Sequence, residues 1–454
     1  MNTKILLINL PCYLTMKEFV DNDFNYNPSL GLLALSEYVS LFGFEARVID
    51  YNFEEIDYAV LEEAICQEGF SVVGVTVYTE NLDLVLRFVK KLKKIDPRVR
   101  IMAGGPHATL KPDDIIKSRY VDFVTAKDGE ASLLELLMYL EFGEACIKEE
   151  DLEGVISRRC RNRDRENVTD LSLLPIINRE RAEISRYRNL VTIYSSKGCP
   201  GRCIYCAATF ISGARYRIRD VYSIFLECWL IFYQCGQSAR GLFFIDDTFT
   251  AQKTRTKEFC GLVRQYDFPM YWSCESRIDV ICEETIDMLA ESKCCAIQFG
   301  VESGDQEILD TIGKHIRLDH LEHMISHAAK YELRIQLGFM LGHYPDTEET
   351  MRKTLDFIRK MLKLNGNINY SVSINTPFPG TWQYEHAEEI GLEITDHDYS
   401  HYDLITPVIR TEHFDESMLR RLYQESGMLR AEVCGRQERA AAAEIKHRTE
   451  AAAW

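Results

Sequence analysis

The 454-residue chain has no apolar run of membrane-spanning length. Its first residues, Met1-Asn2-Thr3-Lys4-Ile5-Leu6-Leu7, lead straight into a strand pattern and lack the architecture of a secretory signal. Basic residues are not in excess: 53 Lys and Arg against 70 Asp and Glu leave a net charge of −17. That argues against nucleic acid as a partner, because phosphate contacts need a basic stripe. The one basic run, Arg158-Arg159-Cys160-Arg161-Asn162-Arg163, is interleaved with Asp164 and Glu166 and reads as a solvated hairpin. Fifteen cysteines without a secretory signal imply a reducing cytoplasm, which is the expected location.

Most of those cysteines lack ligand spacing. Cys12, Cys66, Cys146 and Cys160 are far apart, and Cys228, Cys235 and Cys260 fall in helical patterns. Cys294-Cys295 opens a buried strand, where free cysteine packs as a small hydrophobe. Only Cys434 follows, so a second cluster domain cannot be built. The exception is Cys199-Pro200-Gly201-Arg202-Cys203-Ile204-Tyr205-Cys206, with C-x3-C-x2-C spacing directly after the apolar run at Val191, Ile193 and Tyr194. Three thiolates on one loop hold three irons of a 4Fe-4S cluster and leave the fourth iron open. By spacing alone, a zinc site short of one ligand, or three unrelated core cysteines, also remain.

The rest of the chain alternates strand and helix. Apolar runs at Ile5–Leu10, Ala46–Ile49, Ser71–Val77, Val99–Ala103 and Val121–Val124 read as buried parallel strands. Helices fall between them near Leu30–Leu41, over Leu82, Val85, Val89 and Leu92, and near Leu133–Leu140. This is an α/β, doubly wound, Rossmann-like domain, in which ligands sit beyond the carboxyl ends of the strands. After the cysteine loop come strands at Leu242–Ile245, Tyr271–Cys274, Ala296–Phe299, Ile335–Met340 and Asn369–Ile374. With the strand before Ser195 they make six, a partial (β/α)6 barrel with polar residues at its strand ends. The boundaries read as 1–145 for the first domain, 146–189 for a linker including the strap Asp170–Pro175, 190–380 for the barrel and 381–454 for a small helical cap. A helix over Met418–Arg430 should cover the barrel mouth, and the alanine-rich 438–454 tail reads as a solvated helix or frayed end. Tyr222, Phe225, Trp229 and Phe232 read as core, and Tyr344-Pro345-Asp346-Thr347 as a structural turn.

The cysteine loop, with the aromatic Tyr205 before its last cysteine, resembles the signature of the radical S-adenosylmethionine (SAM) enzymes. The first domain is similar to the cobalamin (B12)-binding domain of the cobalamin-dependent members. That likeness rests on Pro28-Ser29-Leu30-Gly31-Leu32, Gly104-Gly105-Pro106-His107 and Asp128-Gly129-Glu130, in that order. The Asp-x-His-x-x-Gly loop that supplies a lower cobalt ligand in other corrinoid proteins is absent, and the family's Gly-Glu-Gly-Glu reads Lys127-Asp128-Gly129-Glu130 here. A domain that keeps the fold and has lost the corrinoid stays open as an alternative.

The resemblance implies a 4Fe-4S cluster on Cys199, Cys203 and Cys206, and SAM bound through Tyr205, Asp246, Asp247, Ser276, Arg277, Glu302, Gly338, Met340 and Gly342. It implies cobalamin held by Ser29, Gly31, Thr76, Tyr78, Thr79, Gly104, Gly105, His107, Gly129 and Glu130. It also implies an external electron donor such as flavodoxin or ferredoxin, and a small-molecule substrate. In the family, reductive cleavage of SAM gives methionine and a 5′-deoxyadenosyl radical. The expected activity is therefore methylation of an unactivated carbon, with methylcobalamin delivering the methyl group. The same scaffold without methyl transfer, as a radical dehydratase, epimerase or ring-forming enzyme, is the alternative. A non-catalytic corrinoid or redox-sensing module is the reading outside enzymology.

Overall fold

The computed structural model describes residues 1–12, 28–52, 55–182, 189–213, 215–236 and 239–434. The alanine-rich tail therefore lies outside the described residues. The first sheet contains β1 (Lys4–Asn9), β2 (Glu45–Asp50), β3 (Phe70–Thr76), β4 (Arg100–Gly104), β5 (Phe123–Thr125) and β6 (Val155–Ser157). Its order is β2-β1-β3-β4-β5-β6, parallel except for β6, which runs antiparallel to β5. β1 and β3 are buried almost throughout because helices cover both faces of the sheet. One face packs against Leu61, Phe88 and Leu92, the other against Leu32, Val39 and Leu133. The order reverses between β1 and β3, which is where such sheets open a crevice for a ligand.

The presence of β6 corrects the sequence-derived boundary. Residues 146–189 are not a plain linker, since Val155–Ser157 closes the edge of the first sheet. The basic run turns back on it as a hairpin, through a bridge between Ile156 and Arg161. A three-residue strand is too short to show a period of its own. The strap is ordered as expected, with Leu171, Leu174 and Ile177 buried against Leu30, Leu33 and Tyr194. It cements the first domain to the root of the cysteine loop.

The second sheet begins with β7 (Asn189–Ile193), and a hairpin of β8 (Ser196–Lys197) and β9 (Arg217–Ile218) brackets the cysteine loop. The sheet continues with β10 (Ala239–Phe244), β11 (Tyr271–Ser276), β12 (Cys294–Glu302), β13 (Arg334–Leu341) and β14 (Ile368–Ile374). All neighbours are parallel, in the order β14-β13-β12-β11-β10-β7, so the partial six-stranded barrel is as the alternation predicts. Three of its helices start on side-chain caps: Asp220 on the helix Val221–Cys235, Asp305 on Gln306–Thr311, and a reciprocal Thr347–Thr350 box on Glu348–Leu364.

β15 (Glu393–Ile394) and β16 (Ile409–Arg410) form a small antiparallel pair in the C-terminal region. The helix read over Met418–Arg430 is two, Glu416–Ser426 and Leu429–Cys434, separated at Gly427-Met428. Leu419 of the first is buried against Gly342, at the carboxyl end of β13. Phe225 is buried as expected, whereas Tyr222 is 58% exposed.

Candidate active site

Cys199, Cys203 and Cys206 lie on the loop leaving β7, all partly buried and unpaired by disulfides. Backbone amides point at two of the sulfurs: Gly201 N at Cys199 Sγ and Ala208 N at Cys206 Sγ, each at 3.4 Å. Burial pushes the Cys206 thiol up to about 11, and the nearby Cys203, Asp247 and Cys199 charges act in the same direction. A metal that demands thiolates reverses that preference. Among the described residues, no three His, Cys, Asp or Glu side chains converge on the seat of a single ion. In a cubane three thiolates each meet a different iron, so they need not converge on one point. The donor set fits the 4Fe-4S cluster.

Cations stand behind the loop. Arg277 Nη1 lies 3.9 Å from Cys203 Sγ. The rest of that guanidinium is already taken, by a fork onto Asp279 at 3.0 and 2.9 Å and by the Lys314 carbonyl at 2.8 Å. Lys314 Nζ is 2.9 Å from Glu302 Oε1. Burial works against the Lys314 charge, but Glu302 and Cys203 hold it above its ordinary value. Glu302 ends β12 at φ +74°, left-handed backbone that a glutamate adopts only at a cost. Strain of that kind concentrates at functional sites. Tyr205 packs beside His343, with ring centroids 5.4 Å apart, and burial together with Glu302 and Cys203 pushes its phenol well up.

The paired aspartates after β10 separate into two kinds of group. Asp246 is 1% exposed and turned inward. Its carboxylate accepts from Ser195 N at 2.6 Å and from the Ser195 and Ser196 hydroxyls, with Arg255 at 3.7 Å. These contacts hold the root of the cysteine loop and leave no oxygen for a ligand, so the SAM role expected for Asp246 is corrected to a structural one. Asp247 is half-buried and takes only Gly198 N, at 3.2 Å. Burial raises its pKa, and no ion pair offsets it. It is the carboxylate free to meet an ammonium. Ser276 is likewise internal, bonded to Thr250 at 2.5 Å, and Gly342 faces Leu419 at φ +84°. Both are removed from the SAM wall by their own packing. Gly338 stays open toward Gly300, and Met340 is half-buried beside it on the next inward position of β13.

Beyond the first sheet lies a cavity of about 1240 Å³. Nine of the ten residues expected for cobalamin line it: Ser29, Gly31, Thr76, Tyr78, Thr79, Gly104, Gly105, Gly129 and Glu130. The tenth, His107, is corrected. It is fully buried behind that wall, bonded to Thr79 Oγ1 at 3.1 Å and packed edge-on to Tyr399. Three buried acceptors on the wall have no partner: Asn9 Oδ1, Asn52 Oδ1 and Glu130 Oε2. Orphaned acceptors in a cavity ask for donors, and the amide-rich rim of a corrinoid supplies them. A Cβ placed on Gly31 would meet nothing within 4 Å. The residues fit the macrocycle.

An ion network joins the two sites. Lys197, two residues before Cys199, is 3.0 Å from Asp128 and 3.5 Å from Glu130, and Arg217 pairs with Asp128. Against desolvation, which opposes its charge, Glu130 and Asp128 hold the Lys197 ammonium above its usual value. Sequence reading missed Lys197, Lys314, Asn9 and Asn52. Asn9 and Asn52 stand at or just past the ends of β1 and β2 without a motif around them, and Lys197 and Lys314 act through contacts across domains or across a turn. Glu275 was also missed: it is half-buried with no hydrogen bond or ion pair, and burial plus the Asp247 and Asp246 charges push its carboxyl up to about 7.

This geometry defines a radical SAM barrel behind a corrinoid-binding sheet. The family model for the B12 binding domain matches residues 19–137, and that for the Radical SAM superfamily matches residues 193–358. The chain belongs to the radical SAM enzymes that carry a B12-binding domain, with 4Fe-4S, SAM and cobalamin as cofactors. It is 26% identical over 438 residues to an uncharacterized methyltransferase of Pyrococcus horikoshii, covering 93% of this chain and 91% of the relative. It is 25% identical to the bacteriochlorophyllide d C-12(1)-methyltransferase of Chlorobaculum tepidum, over 74% and 69% of the two chains. Among solved structures, the radical SAM methyltransferase TsrM of Kitasatospora setae, with cobalamin and a [4Fe-4S] cluster bound, superposes with a TM-score of 0.71. That match has 18% identity and covers 93% of this chain and 85% of the other. No helix among the described residues is long and apolar enough to cross a membrane.

Proposed function

We propose that the enzyme methylates an unactivated carbon of a small molecule. The observation that carries this reading is the continuity of the cavity. Its wall runs from Thr76, Gly104 and Glu130 in the first sheet to Ser273, Gln298, Gln336 and Ser371 inside the barrel. A substrate in that space has the corrinoid seat on one side and the cysteine loop on the other. The methyltransferase relatives support the same reading.

When bound, the cluster, SAM and cobalamin together supply radical generation by reductive SAM cleavage and delivery of a methyl group. The chain's own part is placement. Cys199, Cys203 and Cys206 fix the cluster, and Asp247 and the Lys314–Glu302 pair hold the polar end of SAM. Tyr205 and Gly338 leave room for its flat base. Glu130, Asn9 and Asn52 orient the corrinoid rim. Tyr78 and Thr79, which line the cavity beyond the first sheet, would face the bound corrinoid there.

The test is anaerobic turnover with SAM carrying a deuterated methyl group, in host metabolite extract. Formation of 5′-deoxyadenosine together with a labelled C–CD3 product is the expected result. Deoxyadenosine without label in any product replaces methyl transfer with elimination, epimerisation or ring closure. Absence of deoxyadenosine from the reduced, reconstituted protein overturns both.

A further inference from the structure

The lumen of a closed (β/α) barrel is normally packed with branched apolar side chains. Here one rung of the lumen is polar and hollow. Strand register places Glu275 of β11 opposite Gln298 of β12, and Gln298 opposite Gln336 of β13. Residues in register on parallel neighbours point to the same face. Gln298 and Gln336 line the large cavity, as does Ser273, two residues before Glu275 on the same face of β11. Gln298 is exposed although it sits mid-strand in a central strand, and its exposure is to the cavity. None of the three side chains makes a hydrogen bond or ion pair within the described chain. Two carboxamides that line the cavity and a carboxylate in register beside them have therefore been placed side by side on the lumen face.

We propose that this rung seats the polar head of the substrate, and that the head is an amine: its ammonium meets Glu275 while flanking amide or hydroxyl groups meet Gln298 and Gln336. The rung has two carboxamide oxygens and an uncompensated acid, and no cation among the described residues pairs with it. It thus selects for N–H donors and against carboxylates and phosphates, by desolvating them beside like charge. An all-hydrocarbon substrate would leave the same groups unpaired on binding, which costs affinity. The inference rests on the methylase reading for the identity of the site as a substrate site.

The experiment uses the full chain reconstituted with cluster, hydroxocobalamin and S-adenosylhomocysteine. Equilibrium dialysis is run with three probes sharing one tail: hexylamine, hexanamide and hexanoate. Hexylamine should bind at least about tenfold more tightly than hexanoate, with hexanamide between them. Glu275→Gln should weaken hexylamine about tenfold or more, the worth of one charge-assisted hydrogen bond, and leave S-adenosylhomocysteine affinity and cobalt content unchanged. The double variant Gln298→Leu, Gln336→Leu should weaken hexanamide most. Equal binding of hexanoate, an unchanged hexylamine affinity in Glu275→Gln, or a loss of S-adenosylhomocysteine instead would each overturn the assignment. Because cobalt and nucleoside are measured in the same samples, failure of the rung with both cofactors retained leaves the methylase reading standing. Hexylamine bound by a chain that retains neither cofactor leaves the rung standing and removes that reading.

Discussion

The cavity's two walls are built of different material. On the side of the first sheet it is backbone, five glycines, small hydroxyls and three unpartnered neutral or acidic acceptors. On the barrel side it is Ser273, Gln298, Gln336 and Ser371, and the cysteine loop beside it is backed by charge: Arg277, Lys314, Glu302 and Asp247, within a few residues of strand ends. The difference follows from what each must hold. A flat macrocycle with a neutral amide rim needs close approach and scattered acceptors. A cluster and a sulfonium nucleotide need fixed charge in a low-dielectric pocket, where each ion pair counts for more than in water. A wall of the first kind is broken by volume, one of the second kind by removing a charge or a thiol.

The largest effect should come from the thiols. Replacing Cys199, Cys203 and Cys206 together by alanine should take reconstituted iron from about four per chain to near zero, since each thiolate holds one iron. Iron analysis and visible absorbance read the loss, while cobalamin content stays as in the parent. Iron near four in the triple variant would refute the ligand assignment.

Volume should break the other wall. Gly31→Phe fills open space on the cavity side and should lower hydroxocobalamin affinity at least about a hundredfold, as read by co-purified cobalt, without loss of iron. Gly105→Val is a different experiment. Gly105 sits at φ +102°, and a Cβ there meets Thr76 Cγ2 at 3.0 Å and Val77 N at 3.1 Å. That variant should lower the melting temperature first. A cobalt loss in Gly105→Val matched by unchanged stability would show that the glycine pair faces the ligand.

Much of this was legible in the sequence. The C-x3-C-x2-C loop, the order of the strands and most of the cavity-lining positions of the first domain follow from periodicity and turn residues. What failed did so for one physical reason: a strand-end motif says that a residue is near the site and says nothing about which way it turns. Asp246 and Asp247 are neighbours with the same chemistry, yet Ser195, Ser196 and Arg255 claim the first. His107 sits beside the glycine pair in sequence and behind the wall in space. Lys197 carries no motif, because its partners Asp128 and Glu130 belong to the other domain.

The aspartate pair therefore gives the sharpest contrast within one wall. Asp247→Asn should weaken S-adenosylhomocysteine about ten- to a hundredfold, the worth of a charge-assisted hydrogen bond, and leave stability nearly unchanged. Asp246→Asn should do the reverse, costing about 3–5 kcal/mol in urea unfolding because Arg255 is left buried beside a neutral group. Calorimetry with both variants decides it. If the two exchange phenotypes, the assignment of the structural and ligand-facing carboxylates is inverted.

The smallest effect concerns His107, which the first wall keeps out of the cavity. Burial drives its pKa from 6.5 down to about 4; Asp114 pulls it up slightly and Lys111 pushes it further down. With the folded value below the unfolded one, the neutral ring contributes stability that is complete above pH 6.5 and is lost as pH falls toward 4. Between pH 6.5 and 5 that loss amounts to about 2 kcal/mol for one imidazole. His343 has the same sign, but Asp346 and Glu275, both raised to about 7, have the opposite one: their contributions are present at low pH and fade as pH rises through 7. The whole-protein pH profile thus mixes cancelling slopes and cannot isolate the residue. His107→Gln can, because glutamine keeps a donor and an acceptor for Thr79 and has no proton to take up. Hydrogen exchange of residues 106–117, where the helix Pro106–Leu110 packs beneath Tyr399, should speed up on acidification to pH 5 in the parent. In the variant that acceleration should shrink by roughly ten- to thirtyfold. Equal acceleration in both would mean that this imidazole is not held neutral, and that its burial serves the junction with the C-terminal region by shape alone.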